Sequence, residues 1–168
     1  MLQVSRALIG LVLIALLAAN FFVWKNMWGT ETITVRALSV GKGDALLIAW
    51  PGHAVLVDAG SDASILRALG EALPPWQRHL DALVILSPSA GAAGGTPFVL
   101  RRYRVGQLIR TEEKGTPTRE AALADAVSAL PNLAIKTIPR GARVYLTTNT
   151  LSLALSASTT PGQYKVQP

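Results

Sequence analysis

The 18 residues from Ala7 to Trp24, ALIGLVLIALLAANFFVW, carry no charge and only one strongly polar side chain, Asn20. As a helix this run would rise about 27 Å, close to the hydrocarbon thickness of a bilayer. Phe21, Phe22, Trp24 and Trp28 gather at one end, as aromatic residues do at a membrane–water interface. The run predicts one N-terminal transmembrane helix, with residues 1–28 as a membrane anchor. A signal peptide is the alternative, with Arg6 as its charged region and Ala19 as a small residue near the cut. The apolar run continues through Phe21, Phe22 and Val23, past that cut, which favours an anchor that stays. Arg6 and the free amino group favour a cytoplasmic tail, whereas Lys25 on the other flank opposes them. The expectation is a single-pass protein of the cytoplasmic membrane with its domain outside the cytoplasm.

The whole chain has 168 residues and a net charge of +6. Its densest basic patch is RRYR, which with Arg110 offers Arg101, Arg102 and Arg104 as contacts for nucleic-acid phosphates or anionic lipid. The plainer reading of RRYR is a helix end where cations offset the macrodipole. There is no cysteine, which excludes disulfides and thiolate metal sites.

Beyond residue 28 the period of the apolar residues divides the chain into elements. Residues 31–40 alternate as a strand does. GKGD, residues 41–44, is a turn. Residues 45–50 and 54–60 are strands joined by a tight Pro-Gly-His turn. Ile65, Leu66, Leu69 and Leu73 fall at helical spacing, with Asp62 as cap and Pro74-Pro75 as stop. Residues 80–86 form an apolar strand of the buried, parallel kind. A short helix over 96–103 has Thr96 as its cap, and a strand follows at 105–111. Pro117–Leu130 is a helix capped by Thr116, with Glu120 in its first turn. Strands follow at 133–138, 142–146 and 150–156, and residues 158–168 read as a flexible tail. The order predicts a mixed α/β layer fold.

Within that frame the series VRALSVGKGDALLIAWPGHAVLVDAG resembles the opening of the metallo-β-lactamase-like domain of ComEC-type competence proteins, which act in DNA internalisation. Gly41, Gly43 and Asp44 match the family's V-G-x-G-D motif. Pro51, Gly52, Asp58 and Gly60 match its P-G and D-x-G motifs. The resemblance covers residues 33–157 and implies an αββα half-sandwich with a mixed sheet. It also implies that residues 29–157 hold that domain without its second half, so that an exposed sheet face or edge awaits a cover. A partner subunit, a second copy of the chain, the membrane or a further segment would supply it.

The family's metal loop reads H-x-[HD]-x-D-H before two glycines. With Gly94 and Gly95 aligned, its ligand positions here are Ser87, Ser89, Gly91 and Ala92, and its common proline is Pro88. The family binds zinc, which lowers the pKa of a bound water to about 7 and so makes a nucleophile. Neutral serine is a poor zinc ligand and alanine is none. The resemblance therefore implies a non-catalytic relative with no metal cofactor, acting by binding or scaffolding near a DNA-uptake or envelope machine. The alternatives are a nuclease-like hydrolase with ligands relocated to Asp44, Asp58, Asp62, His53 or His79, and a fragment of a larger competence protein. The stretch SAGAAGGT could also cradle an anion at a helix start, though a tight turn that lets strand and helix pack closely is the simpler reading.

Overall fold

The structure is a computed structural model. It describes the backbone of residues 6–27, 33–139, 143–147, 152–157 and 164–167, and the side chains of 8–22 and 33–139. The chain divides into two units, Met1–Thr32 and Ile33–Pro168.

The first unit contains one helix, α1, Arg6–Met27. Its leucines and alanines are strong helix formers, and neither proline nor charge interrupts them. Its large apolar side chains stand exposed on every side, Leu11 by 71% and Leu17 by 70%. The expected transmembrane segment is thus helical. Among the described residues, however, no helix is long and apolar enough to cross a membrane.

The second unit is built on a six-stranded mixed sheet in sequential order. Strands β1 (Thr34–Ala37), β2 (Leu46–Trp50) and β3 (His53–Val57) form an antiparallel meander. Strands β4 (His79–Ile85), β5 (Arg104–Thr111) and β6 (Ala134–Ile138) then add in parallel. Each parallel step needs a crossover. Helix α2 (Ser64–Ala72) supplies the first, α3 (Ala90–Ala93) and α4 (Thr96–Arg102) the second, and α5 (Pro117–Ser128) the third. A separate antiparallel sheet holds β7 (Arg143–Thr147), β8 (Ser152–Ala157) and β9 (Tyr164–Gln167).

The two periods seen in the sequence sort side chains to the two faces of the six-stranded sheet. Leu47, Leu56, Leu83 and Leu108 pack against Ile65 and Leu69 of α2, Val99 and Leu100 of α4, and Leu123 and Ala126 of α5. Alternate strand residues, including Ile48, Val55, Val57 and Val84, form a second buried cluster to which no described helix contributes. The expected open face is therefore not open at these positions. The outer strands are more exposed. All four residues of β1 and the first four of β6 face solvent.

Five local expectations need correction. Strand β1 ends at Ala37, because the chain turns through Gly41 and Gly43 at φ 72° and 114° and Leu38 N–H reaches only Ala45 O, at 2.9 Å. Thr96 is the first residue of α4 rather than its cap, and Gly95 holds the cap position. Its hydroxyl is buried and unpartnered, where a cap would have accepted an N–H. Helix α5 stops at Ser128, before Pro131. The expected tail contains β9, whose register with β8 runs from Ala154 opposite Gln167 to Ala157 opposite Tyr164. A frayed segment would leave that edge of β8 without partners. Ala63 rather than Asp62 holds the cap position of α2, and Asp62 acts from one residue before it. Its Oδ1 accepts Ser64 N–H at 2.8 Å. That hydrogen bond, with those from the Ser64 and Ser61 hydroxyls, holds its carboxyl below the usual range.

Candidate functional site

Three loops converge where β3 and β4 end, the place where open α/β sheets put their chemistry. They are residues 41–44, 58–61 and 87–95. Backbone hydrogen bonds knit them together. Asp44 N–H donates to Gly91 O at 3.1 Å, and Gly60 N–H donates to Asp44 O at 3.1 Å. Ala59 N–H donates to Ala92 O at 2.7 Å, and Gly95 N–H donates to Gly60 O at 2.9 Å. A side chain on Gly43 would overlap the Gly91 carbonyl, and one on Gly95 would overlap Ala59 O. One on Gly94 would overlap Ser61 O. These glycines are needed because backbone lies against backbone.

Asp58 locks the assembly. It is buried and sits at φ 55°, a left-handed conformation that aspartate tolerates better than most residues. Its N–H donates to Val84 O at 2.8 Å, and its Oδ1 accepts Leu86 N–H at 2.9 Å. The D-x-G motif therefore joins the end of β3 to the exit of β4.

The loop does not fit a metal ion. Ser87 Oγ accepts Ser89 N–H at 3.2 Å in a short turn. Ala92 is buried and offers no donor. The Gly91 carbonyl is already bonded to Asp44, and a Cβ on Gly91 would lie 3.2 Å from the Gly43 α-carbon. The family aspartate at that position would crowd the GKGD turn. Among the described residues no group of three or more His, Cys, Asp or Glu could hold a metal. Nor is the stretch an open anion cradle: Ala92, Ala93, Gly94 and Gly95 all direct their N–H groups to backbone carbonyls.

The two histidines lie at the other end of the sheet. His53 starts β3 and His79 starts β4. Five residues of strand, about 17 Å, separate His53 from Asp58. Both histidines meet Asp81, His53 Nδ1 at 2.9 Å from Oδ1 and His79 Nε2 at 3.7 Å from the same oxygen. Asp81 Oδ2 also accepts Ala54 N–H at 2.8 Å, and the His53 ring stacks on Trp50 with centroids 5.3 Å apart. Both histidines are exposed. Their meeting on one carboxylate was not legible in the sequence, because Asp81 lies in an otherwise apolar strand. The relocated-ligand set is thereby split, with Asp44, Asp58 and Asp62 at one end and His53 and His79 at the other.

The arginines also part company. Arg110 leaves β5 at the same end as the candidate loop and makes a bidentate pair with Glu120, at 2.8 and 2.9 Å. Arg119 donates to Pro88 O. These residues and the buried Thr96 line a cavity of about 20 Å³, room for about one water molecule and too small for an organic substrate. Arg110 is thus engaged within the fold by Glu120. In RRYR, Tyr103 is buried and Arg101 pairs with Asp125 at 2.7 Å. Arg102 and Arg104 are exposed.

The Arg110 hydrogen bond, helped by the Gly115 N–H and against some desolvation, holds the Glu120 carboxyl below the usual range. A lowered folded pKa stabilises above the unfolded value, near 4.5, and that contribution fades as pH falls through the folded value. Glu120→Gln should therefore cost about 1 kcal/mol at pH 7 and progressively less at acid pH, as the carboxyl of the parent protonates. Thermal unfolding followed by circular dichroism at neutral and acid pH checks this.

No family model matches the chain, and no curated protein matches it. Among solved structures, it is similar to the peroxy diiron species of chemotaxis sensor ODP, at 13% identity and a TM-score of 0.53, over 83% of this chain and 56% of that one. It is also similar to a metallo-beta-lactamase from Pontibacter korlensis, at 13% identity and a TM-score of 0.42, over 73% of this chain and 54% of that one. The chain spans little more than half the length of either. At these identities the likeness concerns the fold alone, and it rests on the first of the two. What that likeness supports is the mixed α/β architecture with its mixed sheet.

Proposed function

We propose that this chain is a membrane-anchored, non-catalytic protein of metallo-β-lactamase-like fold that acts by binding or scaffolding. The observation that carries this reading is the loop at the end of β4. The positions that the family resemblance aligns with metal ligands are Ser87, Ser89, Gly91 and Ala92, and Gly91 lies backbone to backbone against the 41–44 turn. Metal-assisted hydrolysis needs imidazole or carboxylate ligands and an open coordination position. The diiron centre named for the chemotaxis sensor has no matching ligand set in the described loop. Anchoring is supported by the uncharged run Ala7–Trp24, which extends beyond the described side chains, and by the exposed apolar residues of α1. The likeness of the GKGD, P-G and D-x-G series to ComEC-type proteins supports a place beside a DNA-uptake or envelope machine.

Two measurements on the full chain test this reading. Membranes containing the protein are washed with alkaline carbonate, and the protein should stay in the pellet; release would remove the anchor. The detergent-purified chain is then assayed on a phosphodiester with added zinc, manganese or iron(II). No metal-dependent turnover is expected, and turnover that a chelator abolishes would restore the hydrolase.

A further inference from the structure

The sheet has two electrically different ends. Strands β3, β4 and β5 begin at one end with His53, His79 and Arg104. Arg104 N–H donates to Arg78 O at 2.9 Å, so the two arginines are neighbours in space. Helix α4 brings Arg101 and Arg102 to the same end, because β5 starts two residues later. Arg101 is paired with Asp125, and Asp81 is held by the histidines. Arg78, Arg102 and Arg104 are exposed and have no side-chain partner among the described residues. Beside Arg78 stands Trp76, 78% exposed, on the Pro-Pro turn that ends α2. The opposite end carries Asp44, Asp58, Asp62, Glu112, Glu113 and Glu120 against four cations.

Chain direction adds an independent observation. Strand β1 enters the sheet at the arginine end, with Thr34 opposite Ala49 and next to the Trp50–His53 pair. Five residues, 28–32, lie between α1 and Ile33, a reach of about 17 Å at full extension. The chain therefore enters the second unit at this end.

We propose that the surface formed by Trp76, Arg78, Arg102 and Arg104 rests on anionic lipid headgroups. This inference builds on the anchoring of α1 proposed above. Arginines bind lipid phosphates with paired N–H donors, and a nearby anionic surface attracts each one. An exposed tryptophan among them suits the headgroup layer, where an apolar ring and an N–H donor are both satisfied. The carboxylates at the far end disfavour the inverted orientation. A nucleic-acid backbone would also attract the arginines, but it does not explain the protruding indole of Trp76.

The chain has no cysteine, so one introduced at a time reports each end. Pro75→Cys marks the arginine end and Thr118→Cys the far end, both at exposed positions. The full chain is placed in nanodiscs of phosphatidylcholine, with and without phosphatidylglycerol, and labelled with a charged maleimide. Phosphatidylglycerol should slow labelling at Pro75→Cys roughly ten-fold at low salt and leave Thr118→Cys unchanged. Adding Arg78→Gln, Arg102→Gln and Arg104→Gln together should abolish the slowing. Equal rates at Pro75→Cys in both discs, with the chain still resistant to carbonate, would overturn this inference and leave the anchor standing. Protection by a double-stranded DNA oligonucleotide in phosphatidylcholine discs, with none from phosphatidylglycerol, would overturn it in favour of nucleic acid. A chain released by carbonate would remove the anchor. Phosphatidylglycerol vesicles added to that released chain would still read the surface, by the same slowing or its absence.

Discussion

Gly43→Ala should lower stability by about 3–5 kcal/mol, or prevent folding. Two causes act together at this residue. Its φ of 114° lies where side chains are rarely tolerated, and the new methyl would overlap the Gly91 carbonyl. Gly91 cannot retreat freely, because the same carbonyl accepts the Asp44 N–H. Gly41→Ala is the control. Its φ is 72°, but nothing lies within 4 Å of the new methyl, so strain alone applies, about 1 kcal/mol. Urea unfolding of the full chain in detergent compares the two. Equal losses would mean that the GKGD turn and the loop after β4 do not pack as described.

Asp58→Ala should cost about 2–4 kcal/mol. The Leu86 N–H, 2.9 Å from the carboxylate, would lose its acceptor in a buried setting, about 1–3 kcal/mol. Alanine at φ 55° adds about 1 kcal/mol. Asp58→Asn keeps an acceptor oxygen and tolerates the left-handed conformation, so it should stay within about 1 kcal/mol of the parent. The contrast between the two substitutions separates a hydrogen-bonding latch from a residue that matters through its charge. An Asn variant as unstable as the Ala variant would contradict the latch.

The strands and helices were legible because each carries a periodic apolar signal. Leu47, Leu56 and Leu83 alternate with residues of the second cluster, and Ile65, Ala68 and Leu69 recur at helical spacing. The GKGD and D-x-G turns were legible because glycine and aspartate supply the positive φ values found at Gly41, Gly43, Asp58 and Gly60. What escaped depends on tertiary proximity. Thr96 has a capping side chain, but packing buries it one residue inside α4. Arg110 belongs in sequence to the basic set, yet the crossover through α5 brings Glu120 onto it. His53, His79 and Asp81 meet only because β3 and β4 are parallel neighbours. The strand β9 is short, and its pairing with β8 is a backbone matter that composition does not announce. At the candidate loop the family resemblance implied which ligand types were missing. It did not show that the backbone of the 41–44 turn occupies the space against Gly91.

On the function proposed above, the loop from Ser87 to Gly95 binds no metal. Elemental analysis of the full chain, purified in detergent without chelators, tests it most directly. Zinc, iron and manganese are each expected below about one atom per ten chains, since neutral hydroxyl and methyl groups are poor ligands for them. One or two atoms per chain, retained through gel filtration and lost on Asp58→Asn or Asp44→Asn, would contradict it.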